Sequence, residues 1–225
     1  MRWVADNAAM ILGDAGSHLA ITVVAMAIGT VLAVPLGWIA HGRQWSRTAL
    51  VAAGGIIYSI PSLPLFIILP AVLGTRILDP VNVAVAMGGY SFALMARGAV
   101  EAFDSVPPNA RLAAEAMGYG PVGMAFAVDL PLAGPVLLSH LRVVTVSTVS
   151  LVTVGSLIGV RTLGDLFLDG YQRAFPMEIV VGIVATLALA ALLDLLVVSA
   201  GRLLMPWTRQ EHVEPELGTG KAVAA

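Results

Sequence analysis

The chain has 225 residues, of which 58% are hydrophobic and 12% charged, with a mean hydropathy of +0.90. Soluble domains carry about 25% charged residues, and one core of this size could not hide several apolar runs of about 20 residues, so a soluble globule is excluded. A net charge of −2 lacks the basic excess of a nucleic-acid binder, and zero cysteines exclude disulfides, thiolate metal sites and cysteine nucleophiles together.

In chain order, residues 1–16 carry Asp6 and Asp14 against a lone Arg2, the wrong flank for a secretory signal. They read as a short interfacial helix presenting Trp3, Val4, Met10, Ile11 and Leu12. Five segments then reach the length that about 30 Å of hydrocarbon requires. They run from His18 to Ala40, Thr48 to Leu73, Pro80 to Ala96, Gly134 to Val160 and Met177 to Leu204. Prolines 35, 61, 64 and 70 fall in or near the first two, where neighbouring helices can re-satisfy freed backbone groups. Residues 208–225, rich in Glu, Gly and small side chains, read as a disordered tail.

Five spans put the termini on opposite sides. The short first loop is basic through Arg43 and Arg47, and placing it in the cytoplasm brings Arg97, Arg111, Arg202, Arg209 and Lys221 there, with Arg142 near that side. Arg2, Arg76, Arg161 and Arg173 remain opposite, a bias of roughly two to one that puts the amino terminus outside and the carboxyl terminus in the cytoplasm.

This topology singles out residues 97–133, a cytoplasmic connection too long for a simple link. Within it, Ser105 to Gly118 reads as a short helix: Pro107 and Pro108 open it, alanines fill it, and Gly118 supplies the left-handed terminal position. Such a helix either docks a partner or lies on lipid.

At this loop, spanning about 104–131, the sequence resembles the permeases of binding-protein-dependent ABC importers. Their cytoplasmic motif is Glu-Ala-Ala, three residues, Gly, nine residues, then Ile-x-Leu-Pro. Ala113, Ala114 and Gly118 match its first part and Val128-Asp129-Leu130-Pro131 its tail, whereas Leu112 stands at the glutamate position, with Glu115 one turn later. The likeness extends over residues 17–207, the transmembrane permease domain, and is greatest to the osmoprotectant branch that moves glycine betaine, choline, carnitine or proline. Tyr58-Ser59-Ile60-Pro61-Ser62-Leu63 with Leu65-Phe66 resembles its Ile-Pro-Ser motif. Arg97, Val106 and Pro107 resemble its approach to the loop, and Leu130-Pro131-Leu132 with Pro135 its Leu-Pro-Leu-x-x-Pro. Asp194-Leu195-Leu196 and Arg202 to Trp207 resemble its closing pattern.

The resemblance implies an all-α membrane protein of the type I importer permease fold, with about five transmembrane helices and a cytoplasmic coupling helix. It implies a second permease copy or a sister permease, a cytoplasmic ATPase dimer that holds ATP and magnesium, and an extracytoplasmic substrate-binding protein. In this chain, set in the lipid bilayer of a bacterial inner membrane, it implies no catalysis and no cofactor. Coupling to the ATPase falls on Leu112, Ala113, Ala114, Glu115, Met117 and Gly118.

Other residues allow two readings. Thr148, Thr153 and Ser156 belong to a set of hydroxyls spread around most of the fourth span, and with Tyr58 and Ser62 they are candidates to line the translocation path. Equally, such hydroxyls bond helix to helix, and Gly155-x-x-x-Gly159 permits close approach. Asp194 lies inside the fifth span, where charge is costly, and reads as a structural acid bonded to a neighbouring helix more than as a proton relay. His18 and His140 sit near span ends, without partners at metal-ligand spacing, and read as interfacial. Gly218-Thr219-Gly220-Lys221 echoes a phosphate loop, but Pro215 occupies its first glycine position and Ala222 follows the lysine, so no Walker motif is present. Competing functions are a permease of the same architecture for methionine or another small solute, an ion-driven transporter, and a membrane scaffold protein. The last two leave the glycine-to-Leu-Pro spacing without a role.

Overall fold

The computed structural model describes residues 2–207, so the expected tail and the Gly218–Lys221 echo lie outside the described residues. The described residues form helices joined by short turns, with no strand among them. A single turn, α1 (Arg2–Asp6), leads into α2 (Ala8–Ala40), and α3 (Gln44–Ser59) and α4 (Ser62–Leu73) follow. Next come α5 (Pro80–Asp104), α6 (Pro108–Ala116) and α7 (Pro121–Met124). A π-helical turn at Ala125–Asp129 runs into α8 (Leu130–Val152), which tightens to a 3-10 turn at Thr153–Ile158 before α9 (Gly164–Gln172) and α10 (Pro176–Leu204). Four helical stretches are long and apolar enough to cross a membrane, and there are five if the bent pair α3–α4 is one span.

The structure revises the expected spans in ways that follow from local chemistry. The second span is not one straight crossing, because α3 and α4 meet at 98°. Pro61 has no N–H to continue the ladder and forces Ile60 into extended backbone, at φ −69° and ψ 125°. The Ile60 carbonyl this frees accepts the Tyr90 hydroxyl from α5. α5 continues past Ala96 to Asp104, because its late charges find partners: Glu101 meets His140 at 3.2 Å and Asp104 meets Arg47 at 3.1 Å. The first span starts at Ala8, so most of the amino-terminal segment is continuous with it. Trp3, Met10 and Ile11 pack against Leu163, Leu166 and Leu189 of this chain. His18 is buried rather than interfacial, with its Nε2 on the Val149 carbonyl at 3.0 Å.

α5 is the most buried of the spans and forms the axis of the bundle. It packs along α2, where small residues allow the two backbones to touch: a Cβ at Gly29 would lie 2.5 Å from the Phe92 nitrogen, and one at Gly37 2.5 Å from the Ala99 Cβ. The inner core runs through Met95, Ala99, Phe103, Val106 and Leu137 toward the loop that carries α6. The outer core joins Ile21, Phe66, Met87, Tyr90 and Val160. The Gly155-x-x-x-Gly159 pair falls in the 3-10 turn, where Gly159 ends it at φ +81° instead of joining two helices.

Candidate coupling site

α6 is the short helix expected in the cytoplasmic loop. Pro108 takes the first helical position, where a missing N–H costs nothing. Its carboxyl end closes as a Schellman motif: Tyr119 N–H donates to the Ala114 carbonyl at 3.1 Å and Gly118 N–H to the Glu115 carbonyl at 2.9 Å. Gly118 sits at φ +85°, a conformation that L side chains adopt only with strain.

The helix divides its residues between two faces. Leu112 and Met117 are 61% and 70% exposed, and Ala113, Glu115 and Gly118 are exposed beside them. Ala114 is buried, so of the two motif alanines only Ala113 is offered outward. The inward face is fixed by a charge. The Arg111 Nε donates to Asp129 Oδ1 at 2.6 Å, and its guanidinium donates again to the Phe103 carbonyl at 2.7 Å. The other carboxylate oxygen of Asp129 accepts the Trp38 indole N–H at 2.9 Å. Asp129 is almost wholly buried, and charge-assisted bonds of this kind are the strong ones. One side chain of α6 is thereby tied to α2, to the end of α5 and to the start of α8. Sequence reasoning missed this clamp. Its only linear trace is a lone base in an alanine-rich helix and a lone acid before the Leu-Pro pair.

The residues expected along the path separate. Tyr58 and Ser62 line one cavity of ≈180 Å³ with Ile60, Tyr90 and Leu151. The Tyr58 and Tyr90 rings meet edge-on, with centroids 5.7 Å apart. A second cavity, ≈280 Å³, shares Tyr58 and reaches Arg97; a third, ≈520 Å³, shares Arg97 and reaches Arg47 and Glu101. These form a row from the break in the second span toward the end of α5 that leads to α6. Thr148 is buried, with its hydroxyl 2.9 Å from that of Ser91 on α5, the helix-to-helix role. The Thr153 hydroxyl donates to the Ser150 carbonyl and that of buried Ser156 to the Thr153 carbonyl, so both serve the chain's own backbone.

Asp194 does bond a neighbouring helix. Arg142 of α8 grips it with two hydrogen bonds of 2.7 and 2.8 Å. The pair is not buried: the side chains are 50% and 25% exposed. On the opposite side of the molecule, the loop around α9 gathers Arg161, Asp165, Asp169 and Arg173, and burial pushes the Asp165 carboxyl above the usual carboxylate range.

Residues 25–210 match the binding-protein-dependent transport system inner membrane component family, and the chain belongs to it. It is 27% identical over 206 residues to the choline transport system permease protein OpuBB of Bacillus subtilis, covering 92% of this chain and 94% of the relative. It is 29% identical over 203 residues to the osmoprotectant import permease protein OsmW of Salmonella typhimurium, covering 86% and 91%. Among solved structures, a chain of the MetNI methionine ABC transporter, from inward-facing crystals, superposes with a TM-score of 0.69 at 24% identity over 88% of this chain and 96% of that one. That likeness is one of fold.

Proposed function

We propose that this chain is the permease subunit of a bacterial ABC importer for a small compatible solute such as glycine betaine, choline or carnitine. Two permeases, this chain with a copy or a sister, enclose the path, and an extracytoplasmic binding protein delivers the solute. A cytoplasmic ATPase dimer binds ATP with magnesium and does the hydrolysis. The amino terminus lies outside and the carboxyl terminus in the cytoplasm. The single observation that carries the coupling assignment is α6 itself, a capped helix clamped on one face and offering Leu112, Ala113, Glu115, Met117 and Gly118 on the other. A rigid element of this kind transmits a rigid-body displacement. The cargo class is supported by the choline and osmoprotectant permeases among the relatives. The methionine reading is supported by fold alone.

The test is ATP-dependent uptake of labelled glycine betaine, with choline and carnitine as competitors, in vesicles holding this chain and the products of its neighbouring genes. Saturable uptake that needs ATP and the binding protein is expected. ATP turnover without movement of any osmoprotectant would retain the importer and remove the cargo. Gly118→Asp adds charge and backbone strain at the docking end of α6 while leaving the spans untouched. Normal membrane insertion with loss of ATP-driven uptake is expected, and retained uptake would overturn the coupling role.

A further inference from the structure

The spans differ in what they leave uncovered. Between Ala20 and Ile39 every exposed residue of α2 is apolar, and the same holds for α10 between Val180 and Leu196. Those are surfaces for lipid. α8 is different. Ser139, Arg142, Val143, Val146 and Ser150 are all exposed, and at 100° per residue they fall in one sector about 100° wide. Leu151, which lines the cavity of Tyr58 and Ser62, follows at the end of α8 but lies about 80° outside this sector.

Counted along their helices, Arg142 and Asp194 fall well inside the candidate spans. Asp194 is eight residues before Arg202, about 12 Å along α10, and Arg142 is twelve residues beyond the start of α8, about 18 Å. Ionised side chains at such depth face protein or a water-filled cavity, because hydrocarbon offers them no solvation. The half-exposure of the Arg142 side chain excludes burial within this chain.

We propose that the exposed sector of α8 faces water, and that Arg142 with Asp194 forms a charged station on it for a solute carrying both a cation and a carboxylate. The proposal rests on the importer reading and narrows its substrate class. The pair is neutral overall, so its wall does not trap a zwitterion by one end. Asp194 takes the Nε–Nη2 edge of the guanidinium, which leaves the Nη1–Nη2 edge for a solute carboxylate, beside an Asp194 carboxylate with lone pairs left for a cationic head.

The chain has no cysteine, which makes the face directly testable. Val143→Cys, Val146→Cys and Ser150→Cys, with Leu32→Cys and Leu187→Cys as lipid-side controls, are placed singly in the assembled importer and exposed to a charged methanethiosulfonate. Thiolate forms in water and not in hydrocarbon, so the α8 positions should label at least about tenfold faster than the controls. Equal, slow labelling overturns the water-filled face, as does a disulfide between copies through Val146→Cys that shields the sector.

The station is tested by uptake ratios. Asp194→Asn leaves a cationic wall and should lower choline uptake relative to glycine betaine by about fivefold, the equivalent of one lost charge contact across about 4 Å of water. The exchanged pair, Arg142→Asp with Asp194→Arg, keeps neutrality and should restore the ratio. An unchanged ratio in Asp194→Asn overturns the station. Should the wild-type importer move no osmoprotectant, the cargo reading falls while the labelling pattern still decides the face.

Discussion

Asp129 holds three elements with two oxygens, and its burial makes it sensitive to the loss of either partner. Removing one member of a buried ion pair strands the other charge, at about 3–5 kcal/mol, whereas replacing both by apolar groups is far less costly. Arg111→Met should therefore lower the unfolding temperature of the detergent-solubilised protein more than Arg111→Met with Asp129→Leu. Both variants should waste ATP: the solute moved per ATP hydrolysed should fall even where the fold is rescued, because α6 is no longer tied to the spans. Equal coupling in the double variant and the wild type would make the clamp a stability device only. The clamp was illegible in the sequence for a physical reason. Arg111 and Asp129 are 18 residues apart across a turn, and neither helical nor strand periodicity relates them. What was legible, the Gly118 terminus, depends on backbone conformation over a few residues, and so a local signal sufficed.

At the scale of elements, the fold rests on the approach of α2 to α5. Gly29→Val would put side-chain carbons where the Phe92 nitrogen and the Ser91 Cβ already stand, 2.5 Å from the first added atom. Overpacking of this kind costs about 1–3 kcal/mol or more, and the backbones cannot yield as a side-chain tip can. Loss of thermal stability is the expected result, measured on the purified permease, with Gly13→Val as a control because no atom lies within 4 Å of its added Cβ. The helices themselves were readable from apolar length. Several of their ends were not, because of charge. Glu101 and Asp104 looked like loop residues and proved to be helical, paired with His140 and Arg47. Asp14 and His18 looked like surface residues and proved to be buried, one near Arg161 and the other on Val149. A sequence shows the polar group and not its partner. At Pro61 the helix breaks because Ile60 leaves helical backbone, and the expected re-satisfaction by a neighbouring helix is the Tyr90 hydroxyl on the Ile60 carbonyl.

For the whole molecule, taking α3–α4 as one bent crossing makes the number of crossings odd, which would separate the termini. Reporter domains fused at each end should report opposite compartments, with the carboxyl-terminal fusion active in the cytoplasm. Activity of both reporters on one side would mean that α3 and α4 form a re-entrant hairpin rather than one bent crossing, since the 98° bend is compatible with either path. The distribution of basic residues favours the crossing, because Arg43 and Arg47 then share a side with Arg97 and Arg111.

The two faces of α6 also bear on how such a protein changes over generations. The residues that seat the helix, Arg111 and Ala114, alternate with those that look outward, Leu112, Ala113, Glu115 and Met117. Mutations on the outward set leave the seat intact, so under the proposed coupling role a lineage could retune its fit to a diverging ATPase one side chain at a time while the bundle keeps its shape. Leu112, standing where the motif this loop resembles carries an acid, belongs to that outward set.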